Sequence, residues 1–171
     1  FATRTYLPQS VEAEKLAYIL EAGRLAPTGA NAQHQRILVV QSEEGRAKLA
    51  QAANIYHAPL ALIVCATPAK AWVRPVDGKN IADIVCSNHD EAWKRPFDGK
   101  KLTDIDASIV TDHMMLAAAA CGLHSVWICM FKPEVIRQAF CLPEGVEPIN
   151  ILAIGYSDAQ PPVKNRKPLE T

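Results

Sequence analysis

Three cations near the two ends of the chain are the side chains best placed to hold an anion. Arg4 stands near the start, and Lys164 and Arg166 stand two residues apart in a proline-rich tail. Residues two apart on an extended segment share a side. Together with Arg4 they can converge on one phosphate, although from spacing alone ordinary solvated surface charge is the preferred reading. A polar loop, Ala26 to Gln35 (APTGANAQHQ), adds Thr28, Asn31 and Gln33 as donors, with Gly29 for close backbone approach. A catalyst to go with these donors does not stand out. There is no GxSxG, no HExxH and no phosphate loop of the GxxxxGK type. Asp112 and His113 are adjacent, so on a helix they point about 100° apart and read as separate surface groups. Cys86 and His89 form one short pair without a second, which is too little for a metal site. Donors without a catalytic dyad fit a protein that positions a cofactor and leaves the reaction to it.

The elements that must position these groups follow from periodicity. Ser10 is a candidate cap for a helix with Leu16, Ile19, Leu20 and Gly23 on one face, ended by Pro27. Arg36 to Gln41 reads as a short strand. Ser42 caps a second helix, with Glu43 and Glu44 in its first turn. Leu60 to Ala66 (LALIVCA) is a buried strand without polar alternation. Asp104 to Met130 changes period partway. Ile105, Ile109, Leu116 and Ala120 fall at helical intervals, whereas Val126, Ile128 and Met130 alternate with Trp127 and Cys129 as in a strand. Gly122 sits at the break, so the helix should end at about Cys121. That helix is apolar nearly all round, and so is expected at the centre of the fold or in a subunit interface. Lys132 and Pro133 open another helix, with Val135, Ile136, Ala139 and Phe140 inward. Ile149 to Ile154 is a further buried strand.

Residues 67–103 differ in kind. WVRPVDGKNIADI, from Trp72, and WKRPFDGKKLTDI, from Trp93, agree at eight of thirteen positions, 21 residues apart. The pair reads as a tandem duplication forming an inserted surface or lid-like segment, with Trp72 or Trp93 as a candidate apolar wall for a ligand. The rest of the 171 residues is one domain of helices and four short strands, an α+β layered protein whose strand order the sequence does not give.

Composition removes several function classes. Lys plus Arg and Asp plus Glu both number 18, so no net charge draws the chain to nucleic acid or a membrane surface. No apolar run reaches the roughly 18 residues of a membrane span. Five cysteines, an odd number with no CxxC, read as reduced residues of a cytoplasmic protein. The first residue is Phe, so the N-terminus reads as clipped.

Four segments in order carry a resemblance. FATRTY is similar to the end of an Arg-Arg-Ser-x-Arg motif, and EAGRLAPTGANAQ to a helix-then-loop segment of the type Ala-Pro-Ser-x-x-Asn-x-Gln-Pro-Trp. DIDASIVTDHMMLAAAACGLHSVWI is similar to a central helix and its following strand, and NILAIGYSDAQPPVKNRKPLE to a closing strand and basic tail. Together they resemble the FMN-dependent nitroreductase family over nearly the whole chain. The resemblance implies an α/β sandwich with a mainly antiparallel sheet flanked by helices. It also implies a homodimer with FMN at the interface. Arg4 is then expected at the flavin's phosphate or ribityl end, with Ala2 contributing through its backbone. Lys164 and Arg166 would bind the phosphate. Pro27, Thr28, Gly29 and Asn31 would reach the flavin of the other subunit, and Val126, Trp127 and Ile128 would line the isoalloxazine through backbone groups. The implied reaction is ping-pong hydride transfer from NADH or NADPH through flavin to a nitroaromatic, quinone or similar acceptor. The alternatives are a specialised enzyme on the same fold (a dehalogenase or azoline-type dehydrogenase) and a flavin-binding protein without turnover. The sequence departs from the pattern at Phe1, in place of an Arg, and at His34 and Gln35, in place of Pro-Trp. It departs again at Cys129, in place of Gly, and in a tail that stops early, at Thr171.

Overall fold

The computed structural model describes residues 1–67, 101–160 and 165–169. The duplicated segment with Trp72 and Trp93, the Cys86–His89 pair and Lys164 lie outside the described residues.

Strand β2 (Leu60–Ala66) is where the two halves of the core meet. It is apolar along its whole length, and all seven residues are buried. A strand buried on both faces needs a neighbour on each edge and a helical layer on each side. It pairs antiparallel with β1 (Gln35–Val40) and with β4 (Glu147–Gly155), and β3 (His124–Ile128) pairs antiparallel with β4. The sheet order is therefore β1-β2-β4-β3, with β1 and β3 at the edges. Strand periodicity divides the side chains between the two faces. Leu60, Leu62 and Val64 join Leu152 and Ile154 in one cluster with α1 (Ala13–Leu25) and α3 (Leu102–Ala120). Ala61, Ile63 and Cys65 join Ile151, Ala153, Val126 and Ile128 on the other face, against α2 (Glu43–Ala50) and α4 (Pro133–Ala139). This is the expected α+β sandwich with an antiparallel sheet flanked by helices.

Local signals place most element ends. The Ser42 hydroxyl accepts from the Gly45 N–H and caps α2, and Pro133 opens α4 at its first turn. Helix α3 stops where a residue with positive φ is cheapest. Gly122 has φ 73°, its N–H donates to the Ala119 carbonyl, and the Leu123 N–H donates to the Ala118 carbonyl. This is a Schellman stop. Ser10 does not cap α1, which starts at Ala13 after Glu12 with no side-chain cap. Leu102 and Thr103 belong to α3 and not to the inserted segment, and β3 ends at Ile128, leaving Cys129 and Met130 exposed. The strand signal at Met130 came from alternation alone, and alternation also occurs where a chain leaves a sheet.

Within the single chain, helix α3 is buried along one stripe and not all round, which sets aside the centre of the fold and leaves the subunit-interface alternative open. Its inner stripe is Thr103, Asp106, Ala107, Val110, Thr111, Met114, Ala117 and Ala118. The apolar stripe that marked the helix, Ile105, Ile109, Leu116 and Ala120, lies on the other side, and Leu116 is 60% exposed. Against the inner stripe α1 comes in closely. A Cβ at Gly23 would stand 2.9 Å from Met114 Cγ and Sδ.

Candidate functional site

Most of the described residues singled out for chemistry fall into two groups. The first is the loop before β1. Thr28 leads into a 3-10 turn over Gly29–Asn31. Asn31 and Gln33 take positive φ, 51° and 49°, an uncommon backbone for residues with a Cβ. The loop bridges itself to hold that shape. The Gln33 N–H donates to Thr28 Oγ1 at 3.1 Å, and Gln33 Nε2 donates to Asn31 Oδ1 at 3.1 Å. In these contacts Gln33 is the donor, whereas Thr28 and Asn31 take part as acceptors. Pro27 and Asn31 remain exposed, with Thr28 and Gly29 half-buried.

Beneath this loop lies a contact the sequence reading missed. The Gly29 N–H donates to Asp106 Oδ2 at 2.9 Å. His34 Nε2 stands 3.6 Å from the same oxygen. Asp106 and His34 are buried, at 3% and 2% exposure. Burial raises the Asp106 carboxyl above the usual carboxylate range, against the opposing pull of the Gly29 N–H and His34. It lowers His34 below its ordinary value, against Asp106. Both groups are pushed toward their neutral forms, as desolvation requires. The signal for Asp106 was in the sequence. It falls on the stripe 103, 106, 107, 110, 111, 114, which is helical in period but mixed in polarity.

The second group gathers at β3, an edge strand. The segment Phe1–Leu7 lies along it and past it. The Thr3 N–H donates to the Ser125 carbonyl at 3.0 Å, and the Leu7 N–H to the Tyr156 carbonyl at 2.8 Å. Tyr6 hydroxyl lies 3.0 Å from the Thr3 carbonyl and 3.2 Å from that of Ala153. Arg4 is therefore held beside β3, exposed, with its guanidinium carbon 5.8 Å from the centre of the Tyr56 ring. Ala2 is half-buried against the α2/α4 side of the core.

The three β3 residues do not share a face. Val126 and Ile128 are buried in the α2/α4 cluster, and Trp127 points to the α1/α3 side. Backbone groups of an antiparallel strand alternate the same way. Val126 and Ile128 direct theirs at β4, and Trp127, like Ser125, directs its N–H and C=O at the outer edge. The Trp127 ring closes a cleft of about 840 Å3 whose other wall is the outer face of α3: Lys101, Asp104, Ile105, Ser108, Ile109 and Asp112. Such a volume lies in the range of small-molecule pockets, about 300–1,000 Å3. The Trp127 Nε1 is buried with no hydrogen-bond partner among the described residues. His113, beside Asp112, is exposed with Nδ1 on the Ile109 carbonyl, so the two do not act as a pair. Arg166 is exposed in the described part of the tail.

Residues 1–156 match the family model described as "Nitroreductase family". A solved nitroreductase family protein from Clostridium difficile 630 is 48% identical, with a TM-score of 0.80 over 99% of this chain and 89% of that one. A Bacillus subtilis protein named FMN reductase [NAD(P)H] is 27% identical over 173 residues, covering 98% of this chain and 66% of its own length. A solved FMN-dependent nitroreductase from Clostridium difficile R20291 shares the fold, with a TM-score of 0.69 at 24% identity over 96% of this chain and 87% of that one.

Proposed function

The chain belongs to the nitroreductase family, and from that premise we propose that it is an FMN-dependent oxidoreductase. It takes a hydride from NADH or NADPH and passes it to a nitroaromatic, quinone or similar acceptor. It works as a homodimer that holds FMN at the subunit interface. The free thiols of Cys65, Cys121, Cys129 and Cys141 fit a reducing, cytoplasmic setting. The observation that carries the reading is the family match over residues 1–156.

The donor set fits a flavin mononucleotide in two respects. Arg4 offers an exposed guanidinium beside the open edge of β3, where the Trp127 backbone supplies one donor and one acceptor. Asp104 and Asp112 on the cleft wall make that wall a poor place for a phosphate but leave it open to an uncharged ring. Arg4, with Lys164 and Arg166 of the tail, would take the phosphate. The Trp127 N–H would orient the ring and favour negative charge that develops at its pyrimidine edge. Ile105, Ile109 and the Trp127 ring would exclude water. Pro27, Thr28, Gly29 and Asn31 would close over the flavin of the other subunit, and Ala2 would add a backbone contact. When bound, FMN supplies the atom that accepts and returns the hydride, so no side chain need form a covalent bond.

The purified protein tests this directly. It should be yellow, bleach on anaerobic addition of NADH or NADPH, and recover its colour with a nitroaromatic. A colourless protein that FMN does not reconstitute removes the reading. A yellow protein that neither nucleotide bleaches favours a flavin-binding protein without turnover. Arg166→Ala combined with Lys164→Ala should weaken FMN binding, and unchanged affinity would take the phosphate away from the tail.

A further inference from the structure

The loop from Thr28 to His34 is fastened at two points. At its far end the His34 carbonyl accepts both the Thr67 N–H, at 3.0 Å, and the Thr67 hydroxyl, at 2.9 Å. That ties it to the exit of β2. At its near end the tie is a single side chain, Asp106, whose Oδ2 takes the Gly29 N–H. The turn over Gly29–Asn31 has no side-chain cap of its own from Thr28, so the carboxyl of α3 supplies the missing acceptor from across the fold. The position is built for this. Asp106 is buried, and Gly29 is not held there by steric need. A Cβ on Gly29 would meet the two carboxyl oxygens at 3.6 and 3.7 Å, which is ordinary contact. Gly29 is also absent from the positive-φ residues of the chain. The near end of the loop is therefore located by the Asp106 bond and not by a conformation that only glycine permits.

We propose that Asp106 is a positioning residue for the flavin, acting through Gly29. It fixes the height of the 27–31 backbone over the cofactor and so sets how tightly FMN is retained, without touching FMN itself. This rests on the reading that the loop covers the flavin. His34 seals the carboxyl from water on its other side. The tie should therefore hold as a hydrogen bond whether or not the carboxyl carries a charge.

The experiment compares the full chain with Asp106→Ala and Asp106→Asn. Amide exchange at Gly29 is followed by NMR, FMN affinity by quenching of flavin fluorescence, and thermal melting is recorded without FMN. Asp106→Ala should speed Gly29 exchange and weaken FMN affinity by about tenfold or more each, the worth of one hydrogen bond to a charged or buried group. Asp106→Asn keeps an acceptor oxygen and should stay within about threefold in both. Should Asp106→Ala fail to fold, the asparagine variant decides alone. If it loses FMN by tenfold or more, or loosens Gly29 to that degree, the proposal is overturned. A general rise in exchange along all of α3 that tracks a lower melting temperature would also overturn it, since that is the mark of a purely structural residue. A parent chain with a protected Gly29 amide and no affinity for FMN removes the flavin reading beneath it. A parent that binds FMN, with Asp106→Ala binding equally well, removes this proposal alone.

Discussion

Neither face of α3 is uniform in polarity. The inner face carries Thr103, Asp106 and Thr111, all buried. The outer face carries Ile105, Ile109 and Leu116, in contact with the cleft or with solvent. Each inner polar group has a partner that removes the cost of burial. The Thr111 hydroxyl lies 2.7 Å from Asn150 Oδ1 and 2.8 Å from the Ala107 carbonyl, and Asp106 takes Gly29. On the outer face Ile109 packs partly against the α1/α3 core, and Leu116 is left 60% exposed. Large apolar groups left open on one helix face mark a surface that something else covers. The comparison teaches that polarity along this helix reports partners, and that neither period nor apolar character alone reports which face turns inward.

Four experiments break or sharpen that contrast. The largest effect is expected at Met114, fully buried where α1 meets α3. Met114→Ala should cost about 2–5 kcal/mol in urea unfolding, and a cost under 1 kcal/mol would mean that α1 does not rest on this face. Next comes Thr111→Val, which keeps shape but strands Asn150. About 1–3 kcal/mol should be lost, and a neutral result would mean that Asn150 finds another partner.

The third is a pH dependence. His34 titrates below its ordinary value in the folded chain, so the stability it contributes is whole above about pH 6.5 and is lost as pH falls through that value toward its folded pKa. Asp106, raised by burial, works in the opposite sense, its contribution being whole below about pH 3.9 and lost as pH rises through its folded pKa. His34→Gln should therefore flatten the loss of stability between about pH 6.5 and the acid limb. Parallel urea midpoints for parent and variant across that range would exclude His34 as the group responsible. The smallest effect is expected on the outer face. Leu116→Ala should change the stability of the single chain by no more than about 0.5 kcal/mol. Leu116→Glu should leave the fold intact while shifting the proposed homodimer to monomers that release FMN, as sedimentation with flavin absorbance would show. A homodimer that survives this change has its interface elsewhere.

Much of the fold was legible because its strands and stops obey local rules. Leu60 to Ala66 is unbroken apolar sequence, Ser42 is a cap, and Gly122 breaks a run in which the period changes. The direction of α3 was harder to read. Ile105, Ile109, Leu116 and Ala120 form as good a helical stripe as the inner one, and apolar character alone points the helix the wrong way. Of the candidate site, Arg4 and the loop could be proposed from the sequence and the family resemblance. Their supports could not. Asp106 lies 77 residues from Gly29, and only the packing of α3 under the loop joins them. His34 read as a departure from a motif and proved to be the buried neighbour of that carboxyl.

The stop at Gly122 also acts as an index. Two residues after it β3 begins, and from there odd and even positions go to opposite sides of the sheet. Trp127 reaches the cleft, and presents its backbone to the open edge, only because that count is five from Gly122. One residue inserted between Leu123 and His124 would preserve helix, strand and composition alike. It would nonetheless turn a tryptophan into the α2/α4 core and a valine or isoleucine into the cleft. The length of this junction is thus part of the site, and single-residue insertions and deletions there should be far less tolerated than substitutions.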